Sequence, residues 1–269
     1  MKKSLADHLL DWSGRIFLTA ILGFLVLPFF VVAIASFNKG AILSFPPEAW
    51  SVQWYVNAFE YRDFGAGLRN SLRIAAIGAG IALIAGAGFA YVFQRYEFRC
   101  KSGLNAILMS PLIIPNFTIG LGILILTASA SLPRNLWTVV TVHVIIVLPF
   151  VVRSVYVSLQ NLERNYENAA ESLGASPAYV LLTITAPLLL PGLIAGGIFA
   201  AILSFNEFTA SLYVVNRGTA TLPVAMYNYV REYADPTLAA ISVMYALAVA
   251  VLLLVLHRIF RLERVLNVE

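Results

Sequence analysis

Few residues in this chain are equipped for chemistry, and most of them sit in apolar surroundings. Ser204, Asn206 and Glu207 fall together in the run LSFNEF. A carboxylate beside an amide and a hydroxyl at the edge of an apolar segment can attract a cationic or amino-bearing solute. The same charge can also simply mark where a helix leaves a membrane. Asn116 follows Pro115 amid apolar neighbours, so its amide needs a partner, either a solute on a pathway or a neighbouring helix. His143 is the one deeply placed histidine and invites comparison with a proton relay. Without an intramembrane acid, it reads better as a packing or hydrogen-bonding residue. His8 and His257 belong to the edges of apolar stretches and suggest no metal. A nucleophile with its base, or a His/Asp/Glu metal set, is not apparent, so neither a catalytic nor a metal-ligand residue is assigned. Cys100 is the only cysteine; it cannot close an internal disulfide and is read as filler.

These residues must be positioned by membrane-embedded elements. Of 269 residues, 60% are hydrophobic and 12% charged, against about 25% charged in soluble domains. That balance argues against a soluble enzyme and excludes a disordered chain. With 18 Lys+Arg against 14 Asp+Glu, there is no dense basic patch for nucleic acid. The partner implied by composition is the lipid bilayer.

Six apolar stretches, at about 16–37, 71–93, 104–128, 138–158, 184–206 and 238–257, each approach the ~20 residues a helix needs to cross the hydrocarbon layer. The expected fold is all-α and polytopic, with six transmembrane helices. A tail over 1–15 precedes a single membrane domain over 16–257, and a second tail covers 258–269. The first stretch, preceded by Lys2 and Lys3 and containing Ala33-Ile34-Ala35, also resembles a secretory signal, but its 22 residues exceed the roughly 7 to 15 of a signal core. It is read as a retained span. Six crossings put both termini on one side. Cytoplasmic termini give the inner face 11 of the 18 cationic residues, including Lys2, Lys3, Arg261 and Arg264, in keeping with the positive-inside tendency. The connections 38–70 and 207–237 are rich in aromatics and are expected to fold back onto the membrane surface; Tyr213, Tyr227 and Tyr233 read as interfacial aromatics more readily than as a substrate cage.

Gly78, Ala82, Gly86 and Ala90 recur every four residues, and Gly192, Gly196 and Ala200 repeat the pattern. Such stripes let helix backbones approach closely in lipid and predict a helix neighbour for each. Pro28, Pro111, Pro115, Pro149, Pro187 and Pro191 interrupt the stretches. Each frees a carbonyl that neighbouring helices or a wet cavity must satisfy, as static kinks or as a moving pathway lining.

Between the fourth and fifth stretches lies RNYENAAESLGASPAYVLLTITAPLLLP, residues 164–191. Arg164 to Leu173 favours helix, Gly174 suits a left-handed helix end, and Ser176-Pro177 is a cap followed by a first-turn proline. Two short helices meeting at a sharp bend are predicted. Small Ala169 and Ala170, with Glu167 and Glu171 at the rim, suit docking into another protein.

This segment resembles the EAA motif of the permease subunits of ABC importers (the MetI-like superfamily), with Ala169, Ala170, Gly174, Ile184 and Pro187 at matching positions. Asn168 stands where the motif has Glu, and Ala186 where it has Leu. Further short runs, SFN at Ser36–Asn38, FPP at Phe45–Pro47, SPLIIP at Ser110–Pro115, TLP at Thr221–Pro223 and DPT at Asp235–Thr237, are similar to the spermidine/putrescine-type branch.

The resemblance implies a cytoplasmic coupling helix within 164–180, with Arg164, Glu167, Asn168, Ala169, Ala170, Glu171 and Gly174 engaging a separate ATPase. It implies a translocation pathway near Asn116, Ser204, Asn206 and Glu207. The implied partners are two ATP-binding subunits that hold ATP and Mg, a second homologous permease subunit and an extracytoplasmic substrate-binding protein, at a bacterial inner membrane. No GxxxxGK[ST] loop occurs in this sequence, so no cofactor is expected in the chain itself. Cargo would be a small amino-containing solute: a polyamine, an opine, an aminophosphonate or an amino acid. SPLIIPNF lacks the acidic residue that polyamine importers often carry there. The alternatives are a stand-alone secondary transporter, which commonly shows paired repeats and midplane charges, and an intramembrane hydrolase.

Overall fold

The computed structural model describes residues 5–260. Lys2, Lys3, Arg261 and Arg264, which enter the charge argument, lie outside the described residues, and so do the side chains of His8 and His257. The described chain is helical, apart from an isolated bridge between Asn38 and Trp50. The described residues divide into two units, 5–61 with 228–252, and 62–227 with 253–260.

The first unit contains α1 (Leu5–Ala35), a loop closed by the Asn38–Trp50 bridge, and α2 (Gln53–Glu60). The side chains of α1 are apolar and exposed from Ile16 to Phe30, except where Thr, Ala and Gly interrupt. Pro28 sits inside it without ending it. Asn38, buried, organises the loop: its Nδ2 donates to the Ile42 carbonyl and Ser44 Oγ, and its own carbonyl accepts from Trp54 Nε1 at 2.6 Å. Tyr229 stacks on Tyr233 and meets Tyr61 edge-on, and its hydroxyl donates to Asp235, whose carboxylate also caps Thr237. These contacts make Tyr233 part of an aromatic cluster. Helix α13 (Thr237–Phe260) begins at that cap.

The second unit is built on α3 (Arg62–Arg95), α6 (Leu136–Gln160) and α10 (Leu190–Asn206), which pack on one another. The stripe Gly78/Ala82/Gly86/Ala90 is the buried face of α3, and it meets α6. Contact is close enough at Gly86 that an added Cβ would lie 2.7 Å from Val151 Cγ1. Gly192, Gly196 and Ala200 turn their face to α6 as well, where Ser154 Oγ donates to the Gly192 carbonyl at 3.0 Å. Asn135 caps α6 through a reciprocal pair with Thr138. The polar turn before α12 (Leu222–Glu232) folds back onto α3: Asn70 Nδ2 donates to the Gly218 and Ala220 carbonyls, and Leu222 N–H to Ser71 Oγ.

The second apolar stretch lies inside a longer helix, because polar Arg62–Asn70 extends it to 34 residues. Two expectations of a continuous helix are corrected. The third stretch is no continuous span: α4 (Lys101–Met109) with a 3₁₀ turn (Ser110–Leu112) meets α5 (Asn116–Ser129) at 104°. Pro115 lacks an amide proton and holds extended backbone at φ −58°, ψ 135°, which stops the helix there. The fifth bends by 68°. It runs from α8 (Pro177–Val180) through a π segment (Leu181–Thr185) and α9 (Ala186–Leu188) into α10, with Pro187 and Pro191 at the break. Pro149, by contrast, lies within an unbroken α6. Among the described residues, three helices are long and apolar enough to cross a membrane and the two bent pairs raise the number to five. The segment Thr237–Val251 of α13 is apolar as well.

Gly86→Ala should lower the thermal stability of the purified protein by the equivalent of about 1–3 kcal/mol, because a methyl group must be forced into a filled contact. Gly88→Ala, on a face with no atom within 4 Å, should hold or slightly raise the melting temperature in the same assay, since alanine favours the helix.

Candidate functional site

The break after α10 gathers the polar residues singled out in the sequence. Glu207 ends α10 and turns inward, only 8% exposed. Its Oε1 accepts the Ala210 N–H at 2.7 Å, which caps the short α11 (Ser211–Val214). Its Oε2 accepts from Asn116 Nδ2 at 2.7 Å, so the first residue of α5 is tied to the last turn of α10. Among the described residues no cationic side chain pairs with Glu207. Asn116 and Glu207 form the polar end of a cleft of about 330 Å³, whose remaining wall is apolar and includes Ile114, Ile146, Phe150 and Leu203.

Ser204 lies elsewhere. It is buried against His143, itself 1% exposed, and takes no part in lining that cleft. Asn206 is exposed, with its Nδ2 donating to the Ile202 carbonyl one turn back.

The donor order around His143 follows from the acceptors available. Ser211 Oγ donates its single proton to the Glu207 carbonyl at 3.1 Å, so His143 Nε2, 2.9 Å from that oxygen, must be the donor to it. Nδ1 is then the unprotonated nitrogen and accepts from Ser204 Oγ at 2.7 Å. His143 is a neutral bridge between α6, α10 and α11. The sequence reading of His143 as a hydrogen-bonding residue matches this arrangement, but its link to the Glu207 backbone through Ser211 had no signal in local spacing.

At the other end of α6, α7 (Asn165–Ser172) leads to Gly174 at φ +88°, a backbone region that suits glycine, and Ser176 Oγ then accepts the Tyr179 N–H to start α8. The exposed surface of this elbow carries Arg164, Asn168, Ala169, Glu171 and Gly174, with Ala170 half-buried. Leu173, which the sequence reading passed over, is 90% exposed. Glu167 corrects an expectation: it is no rim charge. It is buried against Arg95, because its position on α7 faces the end of α3. A second cleft, of about 720 Å³, opens near this end among Phe93, Arg99, Lys101, Met109, Arg153 and Tyr156.

An all-helical polytopic chain with bent membrane helices and an exposed polar elbow defines a membrane transport component. The chain belongs to the family of binding-protein-dependent transport system inner membrane components, whose model matches residues 78–262. It is 29% identical over 235 residues to the putrescine transport system permease protein PotI of Escherichia coli K12, covering 85% of this chain and 83% of that one. It is 30% identical over 240 residues to the putative 2-aminoethylphosphonate transport system permease protein PhnV of Salmonella typhimurium LT2, covering 88% and 89%. The spermidine/putrescine transport system permease protein PotC of Escherichia coli K12 is 26% identical over 226 residues, covering 84% and 85%. In fold the chain is similar to a bacterial ABC transporter involved in import of the acidic polysaccharide alginate. The TM-score is 0.74 at 16% identity, over 96% of this chain and 99% of that one.

The protein is thus a permease subunit of a binding-protein-dependent ABC importer, an integral inner-membrane protein and not an enzyme; ATP is bound by the partner ATPase. Family membership sets aside the secondary-transporter and hydrolase alternatives.

Removing the imidazole by His143→Ala should leave two buried hydroxyls short of a partner and cost about 1–3 kcal/mol. Thermal unfolding in detergent measures this.

Proposed function

We propose that this chain forms half of the translocation pathway for a small amino-containing solute, with a second homologous permease subunit forming the other half. In this reading the six spans of the sequence analysis cross a bacterial inner membrane with both termini cytoplasmic. Two ATP-binding subunits engage the elbow from the cytoplasm, and an extracytoplasmic substrate-binding protein delivers cargo to the opposite face.

The observation that carries the reading is the elbow around Gly174. It combines the spacing of the EAA motif with an exposed apolar residue, Leu173, at its bend. Leu173 adds an apolar contact to an otherwise polar surface. Arg164, Asn168, Ala169, Ala170, Glu171 and Gly174 form the ATPase-facing surface. Glu167 contributes from behind, by orienting α7. Closure of the ATPase pair carries the elbow with it and switches the helices from inward to outward opening.

For cargo, the supporting geometry is Glu207. A carboxylate facing an apolar cleft without a cationic side chain is suited to an ammonium group, since burying an unpaired charge is costly. Asn116 stands beside it as an orienting amide, Asn206 lies at the exposed edge, and Ser204 acts behind the pathway wall. The transport systems named for putrescine, for spermidine and putrescine, and for 2-aminoethylphosphonate handle amino compounds. A polyamine, an aminophosphonate, an opine or an amino acid fits that shared feature.

Affinity purification followed by identification of co-migrating chains tests the assembly; recovery without an ATPase would overturn it. Gly174→Val should preserve membrane insertion and abolish uptake, because a β-branched residue is strained at positive φ. In uptake assays on a panel of amines and amino acids, with the cognate receptor present, Glu207→Gln should raise the KM by about tenfold or more while assembly is unchanged. Equal KM values would reduce Glu207 to a helix cap.

A further inference from the structure

Arg95 is the last residue of α3, and its side chain is only 6% exposed. Its Nη2 donates to Glu167 Oε1 at 3.1 Å, and its Nε lies 3.0 Å from Glu167 Oε2 without hydrogen-bond geometry, so the pair combines one hydrogen bond with a close charge contact. The Glu167 side chain is 8% exposed. Its Oε1 also accepts from Thr185 Oγ1 at 2.7 Å, and Thr185, fully buried, is the last residue of the π segment. From the first residues of the same elbow, Arg164 Nη2 donates to the Arg95 carbonyl at 3.2 Å. One carboxylate therefore joins α7 and the nearby π segment to the end of α3, whose Arg95 is 72 residues away in the chain.

We propose that Arg95 is a positioning residue for energy coupling, a latch through which displacement of α7 reaches α3 as well as the fifth span. The proposal rests on the reading of α7 as the ATPase-coupling helix. A buried ion pair gains little over a well-packed apolar replacement, because both ions must be desolvated; what it supplies is directional geometry. Here that geometry binds α7 to a helix whose length is packed against α6 and α10.

Without the ion pair, the tie from the start of α7 to the end of α3 would be the single exposed bond from Arg164 to the Arg95 carbonyl. With it, any movement of α7 that keeps the ion pair must carry the end of α3. The π segment beside it has wider turns than an α-helix, and its place between the elbow and the straight α10 makes it the compliant part of the joint. Thr185, at its end, holds Glu167 and so keeps the compliant segment in step with the pair.

The test uses the complete transporter in proteoliposomes and reads three quantities: recovery of the ATPase subunits with the permease, basal ATP hydrolysis, and stimulation of that hydrolysis by the receptor purified in its solute-loaded form. Arg95→Met should leave recovery and basal hydrolysis unchanged and reduce stimulation by about tenfold. Arg95→Lys, which keeps charge but loses the planar fork, should fall between. The reciprocal exchange, Arg95→Glu with Glu167→Arg, should restore stimulation to within about threefold of the parent.

Full stimulation in Arg95→Met overturns the latch. If that variant fails to assemble, Arg95→Lys decides, since it keeps the charge and loses the planar guanidinium: reduced stimulation supports the latch, and full stimulation overturns it. Gly174→Val separates this proposal from the reading beneath it. Stimulation retained in Gly174→Val defeats the coupling assignment itself, whereas stimulation lost there but kept in Arg95→Met defeats the latch alone.

Discussion

The near approach of α3 to α6 is the constraint on which the second unit depends. Lipid offers helices no hydrophobic reason to associate, so contact must come from backbone proximity, packing and polar bonds. Ala82 and Ala90 are fully buried, and Val147, Val151 and Val155 of α6 are closed off from the surface. With small residues from Gly78 to Ala90 facing α6, the two helices fix a common frame. The third helix, α10, adds its own small-residue face and the Ser154 bond to the Gly192 carbonyl.

That frame determines what polar groups can do inside it. His143 projects from α6 at the level where α10 ends, and the serines on either side satisfy both of its ring nitrogens. Glu207 follows one turn after Ser204, where the helix has already stopped, so its carboxylate is free to take the Ala210 amide and the Asn116 side chain. Asn116 and Glu207 thus occupy places where a helix begins or ends, whereas His143, inside the unbroken α6, takes its partners from serine side chains. In a medium without water, such breaks are tolerated only where protein or a cavity replaces the missing bonds.

Much of this was legible in the sequence wherever the signal was local. The four-residue spacing of Gly78 to Ala90 identified the packing face, and Gly174 followed by Ser176-Pro177 located the elbow to the residue. The prolines marked where breaks occur, though not their angles: Pro115 ends a helix while Pro149 sits inside one. A missing amide allows a break, and the surrounding packing decides whether it happens. What could not be read was pairing over long separations. Asn116 and Glu207 are 91 residues apart, and Arg95 and Glu167 are 72 apart. Glu167 was misjudged because a helix of eight residues has too little periodicity to show which side faces inward. The π segment has no sequence signature of its own.

Leu173 has one more consequence. At 90% exposure it makes the elbow adhesive: a copy of this subunit made ahead of its motor displays a greasy tip that water solvates poorly and that chaperones or proteases can grip. On the proposed docking of the elbow, assembly would hide the very side chain that sets an unassembled copy apart.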